Sequence, residues 1–252
     1  MELKKALSRI HEKIRNEYWM QASFTVENIL LSCRYGEIIS NQKLNEMTIR
    51  KYGFTVDDPG YLFTVSMADE YEEQKENIRG FLEEICRREC GFSASVICSD
   101  QWKQVYLIIY RVREARNWKE YFKKNVVTGL CRNFPGTIIC VWIETKQLTK
   151  LVDAMIQAGS LMEWNLLQPR GVLICQQTVE KFEAVPVRYP VELEQRMREM
   201  IFDENKKGIA RQFQLVCEEM KREKYFPKEI KYSIIRFCMA AGLNYRNYGG
   251  EI

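Results

Sequence analysis

Residues 61–111 read YLFTVSMADEYEEQKENIRGFLEEICRRECGFSASVICSDQWKQVYLIIYR. Tyr61–Ala68, rich in aromatic and β-branched residues, predicts a strand. Glu72–Cys90 carries Ile78, Phe81, Leu82 and Ile85 at three- and four-residue steps, which predicts a helix with one apolar face, stopped at Gly91. Phe92–Cys98 and Val105–Arg111 predict two strands around the polar turn Ser99-Asp100-Gln101-Trp102-Lys103, a hairpin. Downstream, Trp118–Arg132 reads as a helix with Tyr121, Phe122, Val126 and Leu130 on one face, broken at Phe134-Pro135-Gly136. Thr137–Ile143 is an unbroken apolar run, the mark of a central strand. Lys146–Trp164 is a further helix and Gly171–Cys175 a last strand. The order is β-α-β-β-α-β-α-β over residues 59–176. Its first six elements are the split β-α-β arrangement of ferredoxin-like folds. The fold class is therefore α+β, with a sheet expected to carry its helices on one face.

On the N-terminal side, residues 1–58 form a helical lead-in. A helix over 22–33 (Phe24, Val26, Ile29, Leu30, Cys33) ends near Gly36, and Asn41 is placed to cap a helix carrying Leu44, Met47 and Tyr52 that Gly53 stops. Asp57-Asp58-Pro59-Gly60 is a turn. Leu3, Leu7, Ile10 and Ile14 recur at steps of four, three and four, a short heptad seam. Two readings fit it: an amphipathic helix docked on its own domain, or a dimeric signalling helix entering from an upstream module. On the C-terminal side, residues 177–188 are an aperiodic connection containing Pro186. A helical bundle over 177–243 follows, with stripes Leu193/Met197/Met200/Ile201, Ile209/Phe213/Val216/Cys217/Met220 and, from Pro227, Ile230/Ile234/Phe237/Cys238. Residues 244–252, polar and glycine-rich, read as a disordered tail.

Composition excludes more than it selects. Among 252 residues, 46% are hydrophobic and 29% charged, enough apolar material for a sizeable core. A net charge of +4 compels neither a nucleic-acid nor a membrane partner. No apolar run reaches the roughly 20 residues of a membrane span. The nine cysteines are odd in number and scattered among apolar neighbours, the pattern of reduced thiols in a cytoplasmic protein. His11 is the sole histidine, so most histidine-based catalysis and metal binding is excluded. No phosphate-binding glycine loop is present. Carboxylate pairs such as Glu83-Glu84 and basic pairs such as Arg87-Arg88 fit solvated helix faces.

Three segments resemble known families. Tyr189-Pro190-Val191-Glu192-Leu193-Glu194 followed by Phe202-Asp203-Glu204-Asn205 and an amphipathic helix resembles the YP-x-E-L-E helix start and acidic turn that join the sensory and DNA-binding halves of large AraC-type bacterial transcription regulators; the glycine of that family's turn is missing. Phe24–Leu31 up to Gly36 resembles the short F-x-x-x-L-L-x-G-like helix those regulators carry after an upstream module. The element order from Tyr61 to Cys175 resembles the nucleotide-cyclase-like domain of diguanylate cyclases, a degenerate copy of which many such regulators contain. Active cyclases place a Gly-Gly-Asp/Glu-Glu-Phe motif in the hairpin turn and two metal-binding aspartates after the first strand. Here the hairpin reads Ser99-Asp100-Gln101-Trp102-Lys103-Gln104 and the strand ends Met67-Ala68-Asp69, so Asp69, Asp100 and Trp102 occupy degenerate cyclase positions.

The resemblance implies a non-catalytic, cytoplasmic relay and dimerisation region that binds no cofactor, metal, membrane or nucleic acid directly. It implies self-association through Leu3, Leu7, Ile10 and Ile14, a hinge at Tyr189, Pro190, Leu193 and Asp203, an upstream receiver or sensor, and a downstream DNA-binding module expected to be absent from this chain. The alternative is a sensor domain that binds a small molecule or nucleotide without turnover.

Overall fold

The second helix starts and stops at the residues expected to cap it, Asn41 and Gly53. The computed structural model describes residues 25–247 apart from 135, 169, 170, 182–184, 186, 190, 204, 223 and 224. The Leu3/Leu7/Ile10/Ile14 seam and Pro190 lie outside the described residues. Helix α1 (Val26–Arg34) is capped by Thr25, whose hydroxyl accepts from the Asn28 amide at 3.2 Å. Helix α2 (Gln42–Tyr52) is capped by Asn41, whose side-chain oxygen accepts from the Leu44 amide at 2.9 Å. It stops at Gly53, which takes the left-handed conformation at φ 72° and donates to the Thr48 and Ile49 carbonyls. The turn that follows is fixed by its aspartates: the Thr55 amide donates to Asp58 at 2.6 Å, and Asn45 donates to Asp57 at 2.7 Å.

Strand β1 (Gly60–Ser66) leads through a single 3₁₀ turn (Ala68–Glu70) into helix α3 (Tyr71–Arg88). Strands β2 (Phe92–Ser99) and β3 (Gln104–Val112) form the expected hairpin. Helix α4 begins at Trp118–Tyr121, widens to a π-helical stretch over Phe122–Val127 and ends as α-helix at Thr128–Asn133. Strand β4 (Ile139–Thr145), a 3₁₀ turn (Leu148–Lys150), helix α5 (Leu151–Met162), a second 3₁₀ stretch (Glu163–Leu167) and the short β5 (Leu173–Ile174) follow. The sheet has the order β2-β3-β1-β4-β5. β1 is antiparallel to both neighbours, with Phe63 opposite Leu107 on one side and Trp142 on the other, and β2 is antiparallel to β3.

The sheet is covered on both faces, where the element order led to one. Side chains alternate across a strand, yet Leu62, Phe63, Thr64 and Val65 are all fully buried, as are Val105 through Ile109. One face, through Phe63 and Trp142, packs on Phe122 of α4 at ring separations of 5.0 and 5.1 Å. Phe81 of helix α3 meets Phe134, the residue just past the end of α4, edge-on at 6.1 Å. The opposite face meets the N-terminal segment: Tyr110 packs on Phe54 at 4.9 Å, and the Arg34 guanidinium stands 5.9 Å from the Tyr106 ring. Gly60 is required by close approach, since a Cβ there would lie 2.6 Å from Leu148 and 3.0 Å from the Ile109 carbonyl oxygen.

The chain divides into two compact units, one running to Gly159 with Gly171–Leu173, the other comprising Ser160–Arg170 and everything from Ile174. In the second, a helical turn α6 (Gln176–Glu180) precedes α7 (Val191–Phe202), α8 (Lys206–Arg222) and α9 (Pro227–Asn247). These three bury Met197, Ile201, Val216, Met220, Tyr225, Ile230 and Phe237 together. Helix α9 continues to Asn247, so residues 244–247, read as part of a disordered tail, are helical. Among the described residues no helix is long and apolar enough to cross a membrane.

Candidate functional site at the hairpin tip

The turn between β2 and β3 meets the start of α3. The turn is tight enough to put Lys103 at φ 52°, in the left-handed region that side chains rarely enter. Tyr71, the first residue of α3 and 1% exposed, donates its hydroxyl to Asp100 Oδ1 at 3.2 Å. One turn on, the Lys75 ammonium donates to the same oxygen at 2.7 Å and to Glu72 Oε2 at 2.9 Å. Lys103 reaches the other Glu72 oxygen across the turn. The Lys75 and Lys103 ammoniums stand 5.3 and 5.4 Å from the Tyr71 ring centroid, within cation–π range.

The electrostatics follow from these partners. Lys75 holds the Asp100 carboxyl below the usual aspartate range, and Lys103, with Lys75, does the same for Glu72. Asp100 and Glu72 in turn hold Lys75 charged to higher pH than a free lysine. Burial, reinforced by Cys98 and Asp100, pushes the Tyr71 phenol up, so it stays a neutral donor. Both acids are thus ionised and paired with lysines at the surface, Asp100 71% and Glu72 56% exposed. Among the described residues no group of three or more His, Cys, Asp or Glu side chains is arranged to hold a metal ion.

Of the degenerate cyclase positions, only Asp100 joins this cluster. Asp69 is exposed in the 3₁₀ turn after β1. Trp102 is half-buried, its ring edge-on to Tyr106 at 6.5 Å. From the opposite face of the sheet, Arg34 at the end of α1 donates to Ser99 Oγ at 2.7 Å, and the Tyr106 hydroxyl donates to Gln104 at 2.6 Å. In the sequence Glu72 reads only as a helix start and Lys103 only as a turn residue, and Tyr71, Lys75 and Arg34 carry no signal that links them to the turn. Glu72 and Lys75 at i,i+3 form a visible helix pair, but nothing in the periodicity brings Lys75 to a residue 25 positions away. Substituting Lys75→Gln is expected to raise the Asp100 carboxyl pKa toward its ordinary value, read by carbon-detected NMR titration of the side chain. An unmoved Asp100 titration would show that Lys75 does not govern it.

The hinge residues fall in the second unit. The Arg236 guanidinium lies 3.9 Å over the Tyr189 ring. The Tyr189 hydroxyl makes no well-formed hydrogen bond, but it interacts with the Glu194 carboxylate, which also pairs with Arg198 at 2.7 Å. Tyr189 and Leu193 both pack against the helical core, and the buried Gln212 donates to the Leu193 carbonyl at 3.2 Å. Asp203 is exposed and only ends α7. The capping role belongs to Asn205, whose side chain accepts from the Gly208 amide at 2.9 Å.

Tyr189, and then Arg198, hold the Glu194 carboxyl below the usual glutamate range against its partial desolvation. A depressed carboxyl stabilises the fold above its unfolded pKa, and that contribution is lost as pH falls through its folded value. Acidification below the ordinary glutamate value of 4.5 should therefore weaken the helical unit, and Glu194→Gln should flatten that acid limb in a circular-dichroism pH titration.

No protein-family model matches this chain, and no curated protein matches it.

Proposed function

We propose that this chain is a non-catalytic relay and dimerisation region of an AraC-type bacterial transcription regulator, acting in the cytoplasm between an upstream receiver or sensor and a DNA-binding module on another segment or chain. The observation that carries the non-catalytic part is the hairpin tip. Asp100, at a degenerate cyclase position, is bonded to Tyr71 and Lys75, and the neighbouring Glu72 to Lys75 and Lys103. The sheet order β2-β3-β1-β4 with antiparallel neighbours is the order of a ferredoxin-like sheet, which supports assigning this unit to the cyclase-like class. The packing of Tyr189 and Leu193 into a helical core supports a hinge that transmits position through contacts. Such relays work when two arrangements differ by a few kcal/mol, which an upstream event can bias.

The test is solution mass with and without residues 1–18. A dimer of the 30.0 kDa chain that becomes a monomer on deletion is expected, and a monomer in both cases sinks the relay.

A sensor domain that binds a nucleotide or small molecule without turnover is the second reading, and one observation favours it. The Thr64 hydroxyl, at the centre of the sheet, is fully buried without a hydrogen-bond partner. A thermal upshift with guanine nucleotide and Mg²⁺ would support this reading, and GTP turnover would overturn both.

A further inference from the structure

The turn between β2 and β3 is held by two helices from opposite faces of the sheet. From one face, Arg34 in the last turn of α1 donates to Ser99 Oγ at 2.7 Å. The same guanidinium stands 5.9 Å from the Tyr106 ring, whose hydroxyl donates to Gln104 at 2.6 Å. Ser99 and Gln104 are cross-strand partners and close the stem of the turn, so Arg34 bears on both strands. From the other face, Tyr71 and Lys75 of α3 donate to Asp100 at 3.2 and 2.7 Å, and Glu72 accepts from Lys103. Asp100 and Lys103 are the first and last residues between the two strands.

Burial gives these grips their stiffness. Ser99 is 2% exposed, Gln104 7% and Tyr71 1%. A buried polar group left without its partner is costly, so each such bond resists separation. If the end of α1 shifts, Ser99 loses its bond or the stem of the turn moves with it. If the stem moves, Tyr71 loses its bond to Asp100 or the first turn of α3 follows. The lysine–carboxylate pairs lie at the surface and add little of their own. The buried hydroxyls of Ser99 and Tyr71 carry the linkage. They act on two adjacent residues, Ser99 and Asp100, with no length of chain between them to absorb a displacement.

We propose that the Ser99-Asp100 step is a coupling joint, through which Arg34 at the end of α1 and the Tyr71–Lys75 turn of α3 bias one another across the sheet. The joint deepens the relay reading and rests on it for its use. In that reading α1 lies on the input side, and the joint names the contact by which its position reaches the helices on the far face.

The test is a mutant cycle on the full chain. Arg34→Gln should raise the Asp100 carboxyl pKa toward its ordinary value, read by carbon-detected NMR titration, although the Arg34 bond is to Ser99. In a Ser99→Ala background the same substitution should move Asp100 far less, because the link is already cut. Equal shifts in both backgrounds would mean that the Arg34 charge acts through space, and they overturn the joint, as does no shift in either. Coupling is reciprocal. Freeing Asp100 from α3 with Tyr71→Phe and Lys75→Gln together should therefore speed hydrogen exchange of the Tyr35 and Gly36 amides, which close the end of α1, by about fivefold or more. Unchanged exchange there overturns the joint too. That arm leaves the buried stem untouched, so it decides the matter even where Ser99→Ala fails to fold. The cycle is read within one chain, so the joint survives a monomeric mass that sinks the relay. A dimer that behaves as expected, with no coupling in the cycle, removes this inference alone.

Discussion

Phe122→Ala is expected to lower the thermal midpoint of the chain by about 10 °C. The ring is fully buried and stands 5.0 Å from Phe63, 5.1 Å from Trp142 and 6.1 Å from Phe92, so it joins three strands to α4. Truncating a buried phenylalanine costs about 3–5 kcal/mol, through lost transfer energy and the cavity left behind. For a chain of this size each kcal/mol moves the midpoint by about 2–4 °C. The cavity cannot close easily, because Phe122 begins the π-helical stretch and its neighbours are themselves fully packed rings. Phe122→Leu keeps most of the volume and should lose less than half as much. Ile39, 61% exposed between α1 and α2, supplies the contrast: Ile39→Ala should leave the midpoint nearly unchanged. Differential scanning calorimetry reads all three. Equal midpoints for Phe122→Ala and the wild type would mean that this face of the sheet is not a packed core.

Much of this core could be read from residue spacing. The four longer strands fall within two residues of their expected bounds at each end, because each is an apolar run between polar or glycine-rich breaks. Asn41 and Gly53 cap α2 as their chemistry requires. The second covered face was missed for a definite reason. Element order says which helices cross over between strands, but not that a segment preceding the first strand folds back onto the sheet. The clue was local: Tyr61-Leu62-Phe63 and Tyr106-Leu107-Ile108-Ile109 are apolar at consecutive positions, and consecutive positions point to opposite faces. The π-helical stretch of α4 left no such clue, since Phe122, Val126 and Leu130 keep an ordinary four-residue step through it. At the candidate site, Asp100 was found by its place in the hairpin. The lysines that neutralise it depend on long-range contact between α3 and the turn, and that contact has no periodicity to detect.

Val216→Asp is expected to dismantle the helical unit at neutral pH and to recover part of it in acid. Val216 is fully buried between Met197, Ile201, Met220, Ile230 and Phe237, with no cation in that cluster. An ionised carboxylate there loses its hydration with nothing in return, so the group stays protonated or the helices separate. Its folded pKa would be raised above the ordinary aspartate value of about 3.9. A raised carboxyl pKa leaves the fold fully stable, as far as that group is concerned, only below the unfolded pKa. The contribution is lost as pH rises through the folded value. The helical signal of Val216→Asp should therefore strengthen between neutral pH and mild acid. The wild type runs the other way, because Glu194 is depressed and its contribution disappears in acid. Val216→Thr, nearly the same shape with one hydroxyl, should fall between the two at neutral pH and show no such inversion. Circular dichroism against pH distinguishes these slopes. The same three samples test the proposed hinge, since a chain whose α7–α9 core has opened can no longer hold Tyr189 and Leu193 in place.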